Sequence, residues 1–481
     1  MKLKKIFAVL LCVIMMFSAV NVNAAGLILN ALDTNDGEKV SNFYDNLLEF
    51  IIEEYKYDVT KEELLSTAVK QILTDHPELL EEFGKGAFNA LDENSMFYTE
   101  EEYMERYSDV SGVYVGIGIN VFYDEDKVIL GEAIEGSPAE GSGLQIGDIV
   151  VAVNGERVEG YGLDKVTSLI KGEEGTNVDI TILRNGVEYT YTIARAVIKI
   201  NPITYEIIEG TNIGYVKLSA FNANAADAFK AVMTEFGGMG VEKIILDLRN
   251  NVGGYLDAAV KIASYFIPDG ELVVEEEHNE NNMNYYYWAK ETDYKFKAVV
   301  LINQYSASAS ELVASALRDY GTGILVGQNS FGKGSMQTVT QVRSNHYLWM
   351  TVAEYFTPSH TPIHKVGLKP DYIVVNKQAD FDMSTVTPYQ ITRVLNVGST
   401  GDDVYAVKER LKALGYNIEV NDVYDMKTAD IVTSFQSNTE LFPYGVADIT
   451  TQIKINDVLS TSKVEVDKQL QRAIDIAKNF K

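Results

Sequence analysis

Cysteine is nearly missing from this 481-residue chain, and the only one, Cys12, falls in the first apolar stretch. Beyond that stretch there can be no disulfide, no thiol nucleophile and no cysteine-ligated metal. Histidine is also scarce, with five residues. The pair His360-x-x-x-His364 has metal-ligand spacing only on a helix, and Pro362 inside it, after a strand pattern, argues against one. No metal and no cofactor is therefore expected. Positive charge is in short supply: 41 Lys and Arg face 69 Asp and Glu, a formal charge of −28. The acidic residues are spread rather than blocked, which excludes a nucleic-acid partner and reads most simply as solubility outside the cell. Past the first 24 residues no run is long and apolar enough to span a membrane.

The first residues carry their own signal. Lys2, Lys4 and Lys5 precede an apolar stretch from Ile6 to Val20, and Val22-Asn23-Ala24 then offers small residues before Ala25. This is the pattern of a cleaved secretory signal over residues 1–24, with an uncleaved anchor as the alternative. Leu10-Leu11 before Cys12 is not a lipoprotein context. The expected location is secreted or in the cell envelope, outside the cytoplasmic membrane.

The length calls for several domains. Residues 38–107 read as helical, with Phe43, Leu47, Leu48, Ile51 and Ile52, then Leu64, Leu65, Val69 and Ile72, at helical spacing. Asp58–Glu62 marks a helix start with acidic first-turn residues. Residues 110–197 alternate strand patterns with turns, and Asn154-Gly155 and Asn185-Gly186 are hairpin signals. Residues 198–376 alternate strands (213–218, 243–248, 298–302, 323–327) with helical patterns, which predicts an α/β core. The aromatic stretch 281–288 reads as a surface hairpin.

The chemistry concentrates in N-Q-Y-S-A-S-A-S-E (303–311) and F-G-K-G-S-M-Q (331–337). The apolar run Lys297–Asn303 reads as a buried strand, and Leu312, Val313, Ala316 and Leu317 continue as a helix. Ser308 thus falls near a helix N-terminus, where backbone N–H groups can stabilise an oxyanion. Taken alone, Ser308-x-x-Glu311 reads first as a capping box. Lys333, between Gly332 and Gly334 and 25 positions beyond Ser308, changes the balance, because a lysine can act as base for a serine nucleophile. It must then be neutral, with its pKa brought down by desolvation from about 10.4 toward roughly 7–8. Gln337 could hold the amine without recharging it, as a carboxylate would not. A solvated turn lysine is the plain alternative.

These segments resemble the carboxyl-terminal processing peptidases, also called tail-specific proteases, whose pattern is N-x-G-S/T-A-S-A-S-E, then G-K-G, then glutamine. Tyr305 stands where that family usually has glycine. I-I-L-D-L-R-N-N-V-G-G (244–254) resembles the family's oxyanion motif. The resemblance implies Ser308 as nucleophile, Lys333 as base, Gln337 as its holder, and the N–H groups of Gly254 and Ala309 as oxyanion donors. Asn94 replaces the histidine expected in L-D-E-N-S-M-F-Y (91–98) and is given no chemistry. V-G-L-K-P-D (366–371) resembles the family's closing motif.

S-P-A-E-G-S-G-L-Q-I-G-D (137–148) and the loop Gly116-Ile117-Gly118-Ile119 resemble a PDZ domain, which implies capture of a peptide C-terminal carboxylate by loop N–H groups. Residues 394–459 resemble a peptidoglycan-binding domain, on L-N-V-G-S-T-G-D-D-V, L-K-A-L-G-Y and V-Y-D-M-K-T…F-Q, with Gly445 as the late glycine. Residues 463–481 read as a closing helix.

The fold expected is multidomain α/β. It comprises a crotonase-like α/β serine protease core (198–376), an inserted β-rich PDZ domain (110–197), an N-terminal helical arm (38–107) and a small helical C-terminal module (394–459). The function expected is an exported serine endopeptidase acting near protein C-termini. Its partners would be proteins or peptides with free C-termini, with peptidoglycan as a second partner and a homodimer formed through the arm. The alternative is a non-catalytic envelope scaffold that binds C-termini and wall.

Overall fold

The computed structural model describes residues 37–124, 126–279, 283–342 and 345–480. The secretory signal read over 1–24 lies outside the described residues. Two compact units meet in the chain at Thr99–Glu100.

In the first unit, helices span Gly37–Glu54, Lys61–Asp75 and Leu80–Phe88, followed by a strand at Met96–Thr99. Thr60 and Glu63 start the second helix by capping each other: the Glu63 N–H donates to Thr60 Oγ1 (3.2 Å) and the Thr60 N–H to Glu63 Oε2 (2.9 Å). Two corrections to the helical reading of 38–107 follow. The Met96–Thr99 stretch is extended, in keeping with its aromatic and β-branched residues. The helix Glu100–Ser111 belongs to the second unit.

At the centre of the second unit is a six-stranded sheet in the order Ile203–Ile207, Ile213–Leu218, Lys243–Asp247, Lys297–Ile302, Gly323–Gly327, Tyr372–Ile373. The first pair is antiparallel and the rest are parallel. Both faces are covered, which is why these strands read as continuous apolar runs. Ile244, Leu246, Val300 and Ile302 face one core with helices Ala225–Gly238, Leu256–Ala263 and Ala309–Asp319. Ile245, Val299, Leu301 and Val326 face the other, against Ala473, Ile476 and Ala477 of the closing helix Lys468–Asn479.

A second, antiparallel sheet brings together Leu272–His278, Tyr285–Trp288, Ser335–Val342 and His346–Phe356. The aromatic stretch is therefore a strand on Leu272–His278, and its residues 281 and 282 lie outside the described residues.

The β-rich domain is inserted ahead of the central sheet. Its strands run in the order Ile119–Asp124, Lys127–Ala133, Ile149–Val153, Asn177–Arg184, Val187–Ala194, with the helix Leu163–Ile170 beside them. Both Asn-Gly turns have positive φ at both residues (50° and 79°, 51° and 78°), as a type I′ hairpin demands. Val113–Gly116 pairs with Ala196–Lys199 and closes the domain with a two-stranded neck.

The C-terminal module is likewise an insertion. Its helices Asp402–Ala413, Met426–Asn438 and Ile449–Thr461 stand on a neck formed by Lys377–Asp380 and Lys463–Val466. The buried Gln436 pins its last loop, donating to Val446 O (3.0 Å) and Thr451 Oγ1 (2.9 Å) and accepting from the N–H groups of Tyr444 and Gly445 (both 3.0 Å).

The closing helix is locked to the sheet by charge. Asp467 caps it, accepting from the Leu470 N–H (2.9 Å), and also receives Arg249 through Nη1 and Nη2 (both 2.8 Å). Arg249 is shared with the buried Asp247 (2.5 Å), which takes a further bond from the Tyr215 hydroxyl (2.7 Å). Burial alone would raise the Asp467 carboxyl, but Arg249 and the cap bond hold it below the ordinary aspartate range. A carboxyl lowered by folding adds stability above its unfolded pKa and loses it as pH falls through the folded one. Asp467→Ala should therefore cost about 2 kcal/mol near neutrality, through the cap and the stranded guanidinium. The loss should shrink below about pH 4, as protons bind first to the unfolded chain's carboxyl and, at lower pH, to the folded one. Thermal melts of both proteins across pH check this; a pH-independent difference would refute the ionic origin.

Candidate active site

The strand Lys297–Ile302 runs through the middle of the parallel sheet and delivers Asn303–Ala307 to its C-terminal edge, where ligands meet sheets of this kind. Ser308 follows with φ +54° and ψ −118°, immediately before the helix Ala309–Asp319. A side chain at positive φ is strained by about 1–3 kcal/mol and persists only where its surroundings fix it. The result is a sharp strand-to-helix elbow with a half-buried serine at its tip, the arrangement that exposes a nucleophilic hydroxyl.

The loop after Asp247 packs directly on this elbow. The main-chain carbonyl of Asn251 accepts from the Ala307 N–H (3.0 Å) and from Ser310 Oγ (2.8 Å). Asn251 is fully buried, with Nδ2 donating to Leu218 O (2.8 Å) and Oδ1 accepting from the Gly253 N–H (2.9 Å). Asn250 and Asn303 clasp each other: the Asn250 N–H donates to Asn303 Oδ1 (3.0 Å) and Asn303 Nδ2 to Asn250 Oδ1 (2.8 Å).

Gly253 lies so close that a Cβ there would fall 2.9 Å from Ser308 Cβ and 3.1 Å from Ala309 N. Gly254, at φ +143°, would place a Cβ 2.3 Å from Phe221 O. Glycine is required at both. The N–H groups of Gly254 and Ala309 bond to no main-chain acceptor among the described residues.

The Lys333 loop reaches the same elbow through Glu311. This carboxylate is fully buried and takes four hydrogen bonds. Oε2 accepts from the N–H groups of Ser308 (2.9 Å) and Lys333 (2.8 Å), and Oε1 from Ser330 Oγ (2.5 Å) and the Gly332 N–H (2.7 Å). Burial pushes the carboxyl above the ordinary glutamate range although all four donors pull it down. The capping-box reading of Ser308 and Glu311 thus captured only one of four bonds. The other three come from residues 19 to 22 positions further on, beyond the reach of a local pattern.

Gly332 and Gly334 let the loop lie on the His364–Gly367 turn, where Cβ atoms would come within 2.9 Å of Gly367 N and 2.5 Å of His364 N. The half-buried Gln337 donates Nε2 to Ser335 Oγ and Thr351 Oγ1 (both 3.0 Å), so its carbonyl end is left as an acceptor. The His360 ring pairs with Glu275 (2.9 Å), while the main chain and Cβ of His364 pack under Gly334. Tyr305 is 56% exposed.

The structure thus ties the main chain of Lys333 to that of Ser308 through Glu311 and packs Gly253 against Ser308 and Ala309, with Gln337 on the strand that leaves the Lys333 loop. The Gly116–Ile119 loop forms a separate groove of about 170 Å³ with Val121, Ile170 and Lys171. Its neighbour strand Ile119–Asp124 is an edge of its sheet and can accept another strand. Ser137 Oγ holds the loop at Gly118 O (2.8 Å), and Gly118, at φ +74°, has room for no side chain against Ser137.

Family models match three parts of the chain: peptidase family S41 over residues 212–374, a PDZ domain over 130–184 and a peptidoglycan binding domain over 400–455. The chain is 33% identical over 388 residues to a probable CtpA-like serine protease of Staphylococcus haemolyticus, covering 80% of this chain and 77% of that one. It is 29% identical over 408 residues to the carboxy-terminal processing protease CtpA of Bacillus subtilis, covering 84% and 86%. Among solved structures, a photosystem II D1 C-terminal processing protease matches at 26% identity over 74% of this chain and 94% of that one, with a TM-score of 0.41.

Glu311→Gln keeps the shape of the Glu311 clamp but turns one acceptor into a donor facing N–H or O–H groups. It should slow phosphonylation of Ser308 by a fluorophosphonate probe, with fluoride as leaving group, at least about 100-fold while the fold survives. Glu311→Ala, which strands four buried donors, should also lower stability by about 3–5 kcal/mol. Probe labelling with thermal melts separates the two; normal labelling of Glu311→Gln would show that the clamp is dispensable.

Proposed function

Since the chain belongs to peptidase family S41 and, within it, to the CtpA-like serine proteases, we propose that Ser308 and Lys333 form its catalytic dyad and that its PDZ domain reads the substrate's C-terminus. The protein is a serine-type carboxy-terminal processing protease with a PDZ domain and a peptidoglycan-binding domain. The observation that carries the dyad is the Ser308 elbow at φ +54°, tied by one buried carboxylate to the main chain of Lys333.

In this reading Ser308 Oγ attacks the scissile carbonyl while Lys333 takes its proton. The carbonyl oxygen becomes an oxyanion between the N–H groups of Gly254 and Ala309. Collapse expels the amine, which receives the proton from Lys333, and leaves an acyl-enzyme on Ser308. Water then attacks with Lys333 again as base, and the acid product departs. Gln337 offers the lysine a neutral acceptor. Exposed apolar side chains on the loops that meet here, Val252 (70%), Phe331 (62%) and Val366 (67%), suit an unfolded polypeptide better than a polar surface would.

The groove beside Gly116–Ile119 would hold the substrate's terminal carboxylate, with the peptide added to the Ile119–Asp124 edge. The leader at residues 1–24 supports export, and the module at 394–459 supports retention at the cell wall. Exposed apolar residues on the first unit, among them Leu65, Ile72 and Phe83, support self-association into a homodimer.

Ser308→Ala and Lys333→Ala should each abolish cleavage of an unfolded protein, and the double variant should be no worse than either, because the pair acts as a unit. Lys333→Arg should fail as well, since arginine stays protonated. The wild-type rate should rise with pH, because only the neutral amine accepts a proton. Amidating the substrate's C-terminus should slow cleavage more than changing residues at the cut site. Robust cleavage by Lys333→Ala would remove the dyad, and equal rates on free and amidated substrates would remove tail reading.

A further inference from the structure

We infer that Asn222 is a positioning residue for catalysis: through it the two main-chain connections of the PDZ domain set the oxyanion loop. The inference rests on the proposed tail reading but is carried by a separate set of contacts. The chain enters the PDZ domain at Ser111–Gly112 and leaves it at Lys199–Ile200, on either side of the Val113–Gly116 and Ala196–Lys199 neck. The two connections bond to each other, the Ile200 N–H donating to Gly112 O (2.9 Å), and both bond to residues 222–224. The Ala223 N–H donates to Ser111 O (3.0 Å), and Asn222 Nδ2 donates to Ile200 O (3.1 Å).

Asn222 is 3% exposed, and Gly112 is fitted to it: at φ +64°, a Cβ on Gly112 would fall 2.3 Å from Asn222 Nδ2. The adjacent Phe221, wholly buried, makes both main-chain bonds to the oxyanion loop. Its N–H donates to Gly253 O (2.9 Å) and its carbonyl accepts from the Tyr255 N–H (2.8 Å). One peptide unit therefore separates the anchor of the PDZ neck from the residue that holds Gly253–Tyr255.

A second strut runs in parallel. The helix Glu100–Ser111, which ends at the neck, carries Tyr107, whose phenol is near enough to Tyr255 to join burial, the larger cause, in pushing the Tyr255 hydroxyl up to about 12. A peptide captured at Gly116–Ile119 sits at the far end of the same neck. Any shift of that strand pair on capture reaches Asn222 through Ser111, Gly112 and Ile200. From there it reaches Phe221 and the Gly254 N–H. The coupling has a sign if the peptide binds more tightly to the arrangement in which that N–H faces the reacting oxygen.

The test uses the full chain and three readouts. A short blocked chromogenic peptide, which cannot reach the groove, reports kcat and KM. An unfolded protein with free or amidated C-terminus gives a ratio of cleavage rates. A free-carboxylate peptide titrated onto Ser308→Ala variants gives Kd. Asn222→Ala should lower kcat on the short peptide about tenfold, the worth of one well-placed hydrogen bond, with KM and Kd within about twofold. The ratio of free to amidated rates should fall toward one. Tyr107→Phe, which removes a single hydroxyl, should move the same readouts in the same direction and serves if Asn222→Ala does not fold. Unchanged kcat and ratio, or a Kd lost in step with activity, would overturn the inference. If wild type itself cuts free and amidated substrates equally, the tail reading fails, and Asn222 is then judged on kcat alone.

Discussion

The geometry of the active site hangs on one buried carboxylate. Glu311 joins the N–H of Ser308 to the N–H groups of Gly332 and Lys333 and to the Ser330 hydroxyl. Without it two segments of main chain, one at positive φ and one folded back between glycines, would have buried donors and no acceptor. A buried carboxylate is costly, and the upward displacement of its carboxyl shows that desolvation outweighs the help of its donors. The protein bears that cost at the one place where two loops distant in sequence must be held to a fraction of an ångström.

The rest of the second unit can be understood as support for this junction. The parallel sheet fixes the Ser308 strand from both sides. The loop of Asn250–Gly254 is tied to it by the Asn250–Asn303 clasp and the Asn251 carbonyl. Asp247 and Arg249, at the start of that loop, are tied in turn to Asp467 at the head of the closing helix. Two domains are then inserted on two-stranded necks, and each returns to the core beside the same loop: one at Asn222, the other at Asp467. An insertion on a neck can vary in content without disturbing the sheet, yet the position of its exit strand is felt where the neck ends.

Much of this was legible in the sequence because its signals are local. Asn-Gly hairpins, apolar runs covered on both faces, and the serine, lysine and glutamine at fixed spacing need only a short window. Gly332 and Gly334 frame Lys333 in the sequence, but nothing there says what their loop approaches. What escaped depends on long separations. Glu311 looked like a helix cap because its bond to Ser308 is local and its bonds to Ser330, Gly332 and Lys333 are not. The Arg249–Asp467 pair spans more than 200 residues. Asn222 carries no motif at all; its role exists only once the neck has folded against it. Helical periodicity groups Glu100–Ser111 with the arm, because it cannot say which of two units a helix joins.

The way the site is assembled also separates its chemistry from its selectivity. At Gly253, Gly254, Gly332 and Gly334, main chain meets main chain or Cβ at distances that forbid any side chain. The elements that would act on a carbonyl group, apart from Ser308, Lys333 and Gln337, are peptide N–H groups fixed by that packing. Side chains on the same loops, such as Val252, Tyr305, Phe331 and Val366, instead project outward and are more than half exposed. A site built in this way can keep its reacting geometry while its rim changes, since the rim bears little of the packing. It also offers few polar side chains with which to read a sequence at the cut. Selectivity must then come largely from elsewhere on the chain. On the proposed tail reading, the Gly116–Ile119 groove with its open strand edge would supply it. If the groove reads chain ends as proposed, reader and reacting centre must communicate, and a hydrogen-bonded route from the neck to the Gly253–Tyr255 loop runs through residues 221–223.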